Sequence, residues 1–243
     1  MAEVILETVD LARHFAGLWA VAGVSVKIGA GEVVGIVGPN GSGKTTFLNL
    51  VTGYIKPSRG RVLYRGRDIT GLGPRRVTRL GVARSFQIPQ LYIGMTVLEN
   101  MLVGLAVRDG EELKFWGRLK RPDRVREARE ALDRFGLGRL SELKVSTLGG
   151  GERKLLDVAL AFALGPELLL LDEPTSGVST SERYGVMDTI LGAVGNGRTA
   201  VVFIEHDLEV VRRYARRVLV FSEGRVVADG PPDEALSARG MGR

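Results

Sequence analysis

The run Gly38-Pro39-Asn40-Gly41-Ser42-Gly43-Lys44-Thr45-Thr46 spaces three glycines closely and closes them with a lysine and two hydroxyls. Glycines leave no side chains in the way, so backbone N–H groups can converge on one point. A helix starting at Lys44 adds its own unsatisfied N–H groups and the positive end of its dipole. Such a turn is built to wrap a polyphosphate. The run fits G-x-x-x-x-G-K-[ST], in which Lys44 reaches the β and γ phosphates and the Thr45 hydroxyl holds Mg²⁺. An ordinary glycine-rich turn is the competing reading. It is set aside because the eight positions sit in the required context, after a buried apolar strand (Val33 to Val37) and before a helix.

A second group of polar residues has the same placement. Leu168 to Leu171 ends in Asp172-Glu173, and Ala200 to Ile204 ends in Glu205-His206-Asp207. With a phosphate cradle upstream, Asp172 is expected in a Mg²⁺ shell and Glu173 as the group that orients and polarises an attacking water.

These residues require a sheet to deliver them. The apolar runs Val33 to Val37, Leu168 to Leu171, Ala200 to Ile204 and Val218 to Phe221, interleaved with helical patterns, predict a parallel sheet covered on both faces. Ligands of such sheets bind beyond the carboxyl ends of the strands, where the polar groups fall. Glu3 to Val9, Val24 to Ile28 and Arg61 to Tyr64 instead alternate, which predicts an antiparallel layer. A late hairpin is expected from Val218 to Phe221 and Arg225 to Ala228, around Ser222-Glu223-Gly224. Between Pro89 and Val145 the pattern turns helical. Thr96-Val-Leu-Glu99 reads as a capping box, with Val97, Leu98, Met101, Leu102 and Leu105 on one face, and a second helix runs from Pro122 to Phe135. The fold class is α/β: a P-loop (RecA-like) parallel sheet core, an antiparallel β subdomain and an inserted α-helical lobe. The core is placed at 1–88 and 151–243, the lobe at 89–150.

Composition narrows the chemistry. The 243 residues, 44% of them hydrophobic, can bury a full core. There is no cysteine, hence no disulfide or thiolate metal site, and two histidines cannot make a histidine-rich metal cluster. The N-terminus lacks a basic segment followed by an apolar one, so no signal peptide is expected. The longest apolar stretch, Leu155 to Leu171, is broken by Asp157, Gly165, Pro166 and Glu167, which makes it a helix, a turn and a strand. The chain is therefore expected to be soluble or peripheral, and cytoplasmic. The net charge of +6 is compatible with an anionic partner, but no nucleic-acid motif accompanies it, so no nucleic acid is expected.

Taken together, Gly38 to Thr45, Gln87 in ARSFQIPQLY, TLGGGERKLLDVALA at Thr147 to Ala161, LLLLDEPTSGV and IEHD resemble an ATP-binding cassette (ABC) transporter ATPase subunit. The likeness runs in register from Val4 to Asp233. Within the family, ARSFQ, MTVLENMLVG and IEHD are most similar to the branched-chain amino acid importers. The resemblance implies roles for matched positions. Phe15 stacks on adenine, and Gln87 touches Mg²⁺ and the attacking water at the joint to the helical lobe. His206 contacts the γ-phosphate. Leu148-Gly149-Gly150-Gly151-Glu152, just before a helix beginning near Glu152, contacts the ATP of a second ABC ATPase subunit in a head-to-tail homodimer or heterodimer. Other implied partners are membrane permease subunits, met near Gln87 to Met95 with Tyr92 exposed, and indirectly a solute-binding protein. Phe115 and Trp116 would extend that surface, although aromatic residues at helical spacing more often belong to a core. His14 carries no motif and is expected to be structural or solvated.

The chain also departs from the family pattern. Gly149 replaces the signature serine, Glu152 a neutral glutamine, and Ser179 an Asp or Asn. The end, PPDEALSARGMGR, is shorter than the usual tail of the subgroup, whose C-terminal helix is expected to be missing. The main expectation is the cytoplasmic ATPase of an importer, peripheral on the inner membrane face, using ATP and Mg²⁺. A soluble ABC ATPase of assembly or repair would call for a coiled coil, a zinc module or cysteines. A P-loop small-molecule kinase would need a lid and an acceptor pocket in place of the Gly149 to Gly151 turn.

Overall fold

Runs of Val, Ile, Leu and Phe with no polar interruption can be strands only where both faces are covered. The computed structural model, which describes residues 3–87, 90–111, 120–195 and 197–238, places four such runs side by side. In chain order the elements begin with β1 (Val4–Phe15), β2 (Leu18–Gly29), β3 (Val33–Val37), α1 (Lys44–Val51), β4 (Arg59–Tyr64) and β5 (Arg67–Asp68). Next come α2 (Pro74–Arg79), β6 (Val82–Ser85), α3 (Val97–Arg108), α4 (Pro122–Arg134), α5 (Gly150–Ala163) and β7 (Leu168–Asp172). The chain closes with α6 (Arg183–Val194), β8 (Ala200–Ile204), α7 (Leu208–Tyr214), β9 (Arg217–Ser222), β10 (Arg225–Gly230) and α8 (Pro232–Ala238).

The larger sheet has the order β10-β9-β3-β8-β7-β6. β9, β3, β8 and β7 are parallel neighbours, and β10 returns antiparallel to β9 as the late hairpin. All residues of β7 and β8 are buried, which explains their continuous apolar sequence. The second sheet, β2-β1-β4-β5, is antiparallel throughout, as the alternating segments predicted. Its long β1–β2 hairpin turns on Ala16 and Gly17, both at positive φ, the condition for a two-residue turn that matches strand twist.

Contacts divide the chain into two compact units. One comprises Met1–Arg84, Glu167–Glu173 and Asn196–Arg243, the other Ser85–Pro166 and Pro174–Gly195. The sequence had placed the helical lobe at 89–150, so α5 and α6 fall outside it. Packing accounts for the difference: α5 lies against α3, α4 and α6. Within the helical unit the Thr96 capping box forms in both directions, and the five apolar residues expected on one face of α3 are all buried. α4 ends one residue before Phe135, and Phe135 itself is fully buried. Arg124 is buried too, and donates to Asp109 and Glu111 at 3.0 and 2.8 Å. Phe115 and Trp116 lie outside the described residues, as do positions 88 and 89 and the last five residues. No helix among the described residues is long and apolar enough to cross a membrane.

α5 carries two buried polar residues, three apart and so on one side of the helix, that sequence periodicity did not single out. Lys154 Nζ donates to the carbonyl of Gln87 at 2.5 Å, and Asp157 accepts the N–H of Phe86 at 3.0 Å. Together they hold the backbone on either side of Gln87. Burial pushes the Asp157 carboxyl up from 3.8 to about 6, against the opposing pull of the Phe86 and Gln90 N–H groups and the Lys154 charge. The native state thus holds this proton more tightly than the unfolded chain. The stability it contributes is complete below pH 3.8 and lost as pH rises through about 6. Urea unfolding of the wild type and Asp157→Asn should show the variant gaining on the wild type by roughly 1–3 kcal/mol between about pH 4 and about pH 7. A difference that does not change with pH would show that this carboxyl titrates as an ordinary one.

Candidate functional site

The turn after β3 is shaped by close backbone approach. Gly38 and Gly43 both have positive φ, and a Cβ would collide with the carbonyl oxygen of Phe221 at the first and of Ala20 at the second. Only glycine fits either place, so the loop is pressed against β9 and β2. Lys44 opens α1 and is buried, its Nζ donating to the carbonyls of Gly38 and Pro39 at 2.8 and 2.9 Å. The ammonium is thereby held at the mouth of the loop. A cavity of about 150 Å³ lies there, lined by Asn40 to Thr46, Ala20, Glu173 and His206.

Glu173 follows the last residue of β7 and is a non-glycine residue in the left-handed region, with φ of 52°. That conformation is costly for a side chain and persists only where neighbours enforce it. Two do so here. Its N–H donates to the carbonyl of Ile204 at 3.1 Å, and its Oε1 lies 2.8 Å from His206 Nε2. A carboxylate can only accept, so Nε2 carries the hydrogen. The pair joins the ends of β7 and β8 beside the phosphate loop, with Glu173 15% and His206 44% exposed at the side chain. Asp207, in the same IEHD run, does something else: it caps α7 by accepting from the N–H groups of Glu209 and Val210. The Asp-Leu step at a helix start carries that signal in the sequence.

Two buried side-chain oxygens lack a hydrogen-bond partner among the described residues: Ser42 Oγ in the loop and Asp172 Oδ1 at the end of β7. Buried polar atoms of this kind call for a ligand. A hydroxyl beside an amide-lined turn suits a phosphate. The orphan Asp172 oxygen and the hydroxyl of the exposed Thr45, the second residue of α1, are hard oxygen donors of the kind Mg²⁺ takes; Asp172 is buried and is not among the residues lining the cavity. The other Asp172 oxygen accepts from Arg84 Nη2 at 2.6 Å. Sequence reasoning passed over Arg84. Its only signal was a basic residue inside a short apolar strand, three positions before Gln87.

The remaining expected residues are placed elsewhere. Phe15 ends β1, is 40% exposed, and lies under the Arg13 guanidinium at 4.5 Å from its ring centre; it is not among the residues lining the cavity. Gln87 belongs to the helical unit and is exposed. Tyr92 and Ile93, also there, are 57% and 63% exposed. His14 is exposed, its ring edge-on to Trp19. The LGGGE turn differs in detail from its expected form: α5 starts at Gly150, not near Glu152, because Gly149 is the N-cap and Glu152 its third residue. Glu152 Oε2 accepts the Gly149 N–H at 2.9 Å, so the departure from glutamine places a carboxylate on its own helix terminus. Leu148 is buried beneath the turn, while Gly149 and Gly150 are exposed. Ser179 stays local, donating to Glu182 at 2.5 Å.

The profile of the ABC transporter family matches residues 21–176. The chain is 36% identical over 244 residues to the high-affinity branched-chain amino acid transport ATP-binding protein LivG of Salmonella typhimurium, covering 96% of this chain and 94% of that one. Among solved structures, the ADP conformation of MJ1267, an ATP-binding cassette of an ABC transporter, superimposes with a TM-score of 0.86 at 33% identity, over 96% and 93% of the two chains. A dimeric post-hydrolysis state of the cassette MJ0796 bound to ADP and Pi gives 0.79 at 26% identity, over 94% and 99%. Motif order, sheet topology and these likenesses agree: the chain belongs to the ABC transporter family and is its ATPase cassette.

Proposed function

We propose that this chain is the ATP-hydrolysing subunit of an importer for branched-chain or other amino acids. It works in the cytoplasm on the inner face of the membrane, with permease subunits and, through them, a solute-binding protein. The observation that carries the catalytic part is the cavity that joins the Gly38 to Thr46 loop to the Glu173–His206 pair. The solute class rests on the printed function of relatives such as LivG of Salmonella typhimurium.

Backbone N–H groups of the loop between Asn40 and Thr46, with the start of α1, bind the phosphates of ATP, and Lys44 gives up its contacts to Gly38 and Pro39 for the outer phosphates. Thr45 and Asp172 are the residues that would hold Mg²⁺, which would neutralise phosphate charge when bound. Phe15, an exposed aromatic at the end of β1, is assigned to adenine. Glu173 orients the attacking water and accepts its proton, while His206 fixes the position of that carboxylate and reaches toward the γ-phosphate. The strained backbone at Glu173 suits this role, since the residue lines the cavity at the loop.

Hydrolysis is completed by a second cassette. Leu148 to Glu152 presents a glycine-lined helix terminus that meets the ATP of the facing subunit, an arrangement supported by the dimeric form of the MJ0796 cassette. Glu152 weakens that contact, because its carboxylate already occupies the Gly149 amide and repels phosphate. Tyr92 and Ile93, exposed apolar side chains beyond Gln87, face the permease.

Glu173→Gln should lower the rate of phosphate release by on the order of 10² or more while leaving fluorescent-ATP affinity intact. Unchanged hydrolysis removes Glu173 from the mechanism. Light scattering of that variant across a concentration series should show dimers with MgATP. Gly149→Ser and Glu152→Gln added to it should each shift dimerisation to lower protein concentration, by about threefold or more, as a donor is gained or a charge is lost. No shift in either would show that the backbone of the turn suffices. In the native host, deletion of the gene should abolish high-affinity uptake of labelled leucine, isoleucine and valine; full uptake would move the solute to another class.

A further inference from the structure

We propose that Arg84 is a positioning residue for the metal side of the ATP site, a guanidinium strut that selects which oxygen of Asp172 faces Mg²⁺ and sets its distance from the phosphate loop. The proposal rests on Asp172 being a metal ligand, as read above. Arg84 lies on β6, and its side chain is 5% exposed. Nη2 donates to Asp172 Oδ2 at 2.6 Å, and Nη1 donates to Asn49 Oδ1 at 2.5 Å. Asn49 sits on α1, the helix that Lys44 opens, five residues further along. One rigid planar group therefore joins the helix behind the phosphate loop to the strand end that carries Asp172.

Free carboxylate oxygens exchange by rotation about one bond. A short charge-assisted hydrogen bond on Oδ2 stops that rotation and leaves Oδ1 as the only oxygen on offer. Oδ1 is the buried atom without a partner among the described residues. Stability alone is a weak reason for this arrangement, since buried ion pairs are commonly no better than well-packed apolar residues. Orientation is a sufficient reason, because groups that hydrogen-bond a metal ligand tune metal affinity without touching the metal. Lysine cannot replace the fork: its single ammonium lacks the fixed two-amine geometry that meets Asn49 and Asp172 at once.

The test is fluorescence titration of a fluorescent ATP analogue against wild type, Arg84→Gln, Arg84→Lys and Asn49→Ala, each with Mg²⁺ and with EDTA. Circular dichroism checks the fold. The strut predicts that both Arg84 variants lose about tenfold of the affinity gained from Mg²⁺, with metal-free affinity changed by less than about twofold; Asn49→Ala, which keeps the Asp172 pair, should lose about threefold. Half-maximal Mg²⁺ for ATPase should rise in parallel. A wild-type ratio of the two affinities in the variants, or equal losses with and without Mg²⁺, overturns the proposal. If Arg84→Gln does not fold, Arg84→Lys and Asn49→Ala decide by the same ratio. A wild type that gains nothing from Mg²⁺ would instead overturn the assignment of Asp172 itself.

Discussion

Everything at this site depends on a steric constraint: at Gly38 and Gly43 the backbone passes too close to the Phe221 and Ala20 carbonyls for any side chain to fit. That approach holds the loop against two neighbouring strands, β9 and β2. β3 and α1 are the handles of the loop, and the parallel order β9-β3-β8-β7 brings the other strand ends beside it. Because parallel neighbours end on the same side, Asp172, Glu173 and His206 arrive there without further instruction.

Buried charge serves orientation in each of the two units. Arg84 with Asp172, and Lys154 and Asp157 with the backbone beside Gln87, are all groups taken out of water at a cost that a purely structural core would avoid. Each contacts a residue, or the backbone flanking a residue, assigned to the metal or the attacking water. Glu173 adds a third kind of constraint, backbone strain, held by Ile204 on the main chain and His206 on the side chain. The helical unit uses the same device for itself, where Arg124 is buried between Asp109 and Glu111.

The departures at the LGGGE turn have a local physical meaning. An acid at the third position of a helix is a good cap, and Glu152 satisfies an amide that would otherwise wait for a ligand. The same bond that stabilises α5 occupies one N–H of the terminus proposed above to meet the facing subunit's phosphate. On that proposal, helix stability and affinity for a facing phosphate compete at one amide.

Much was readable from the chain itself. Closely spaced glycines in a strand, loop and helix context, continuous apolar runs, the Thr96 to Glu99 box and the alternating N-terminal segments are local signals, because the backbone conformation they demand is set within a few residues. From these came the parallel core, the antiparallel layer, α3 and the phosphate loop. What the sequence could not decide involved partners distant along the chain. Arg84 finds Asn49 and Asp172 at separations of 35 and 88 residues. Asp157 finds Phe86 across 71, and α5 joins the helical unit because of what it packs on. The start of α5 at Gly150, two residues before the expected Glu152, has a related reason: glycines are poor helix formers, and Glu152 folds back to cap the turn that contains Gly150. Local backbone preference is written in neighbouring residues, whereas the aim of a buried charge is fixed only when the sheet brings its partners within hydrogen-bond reach.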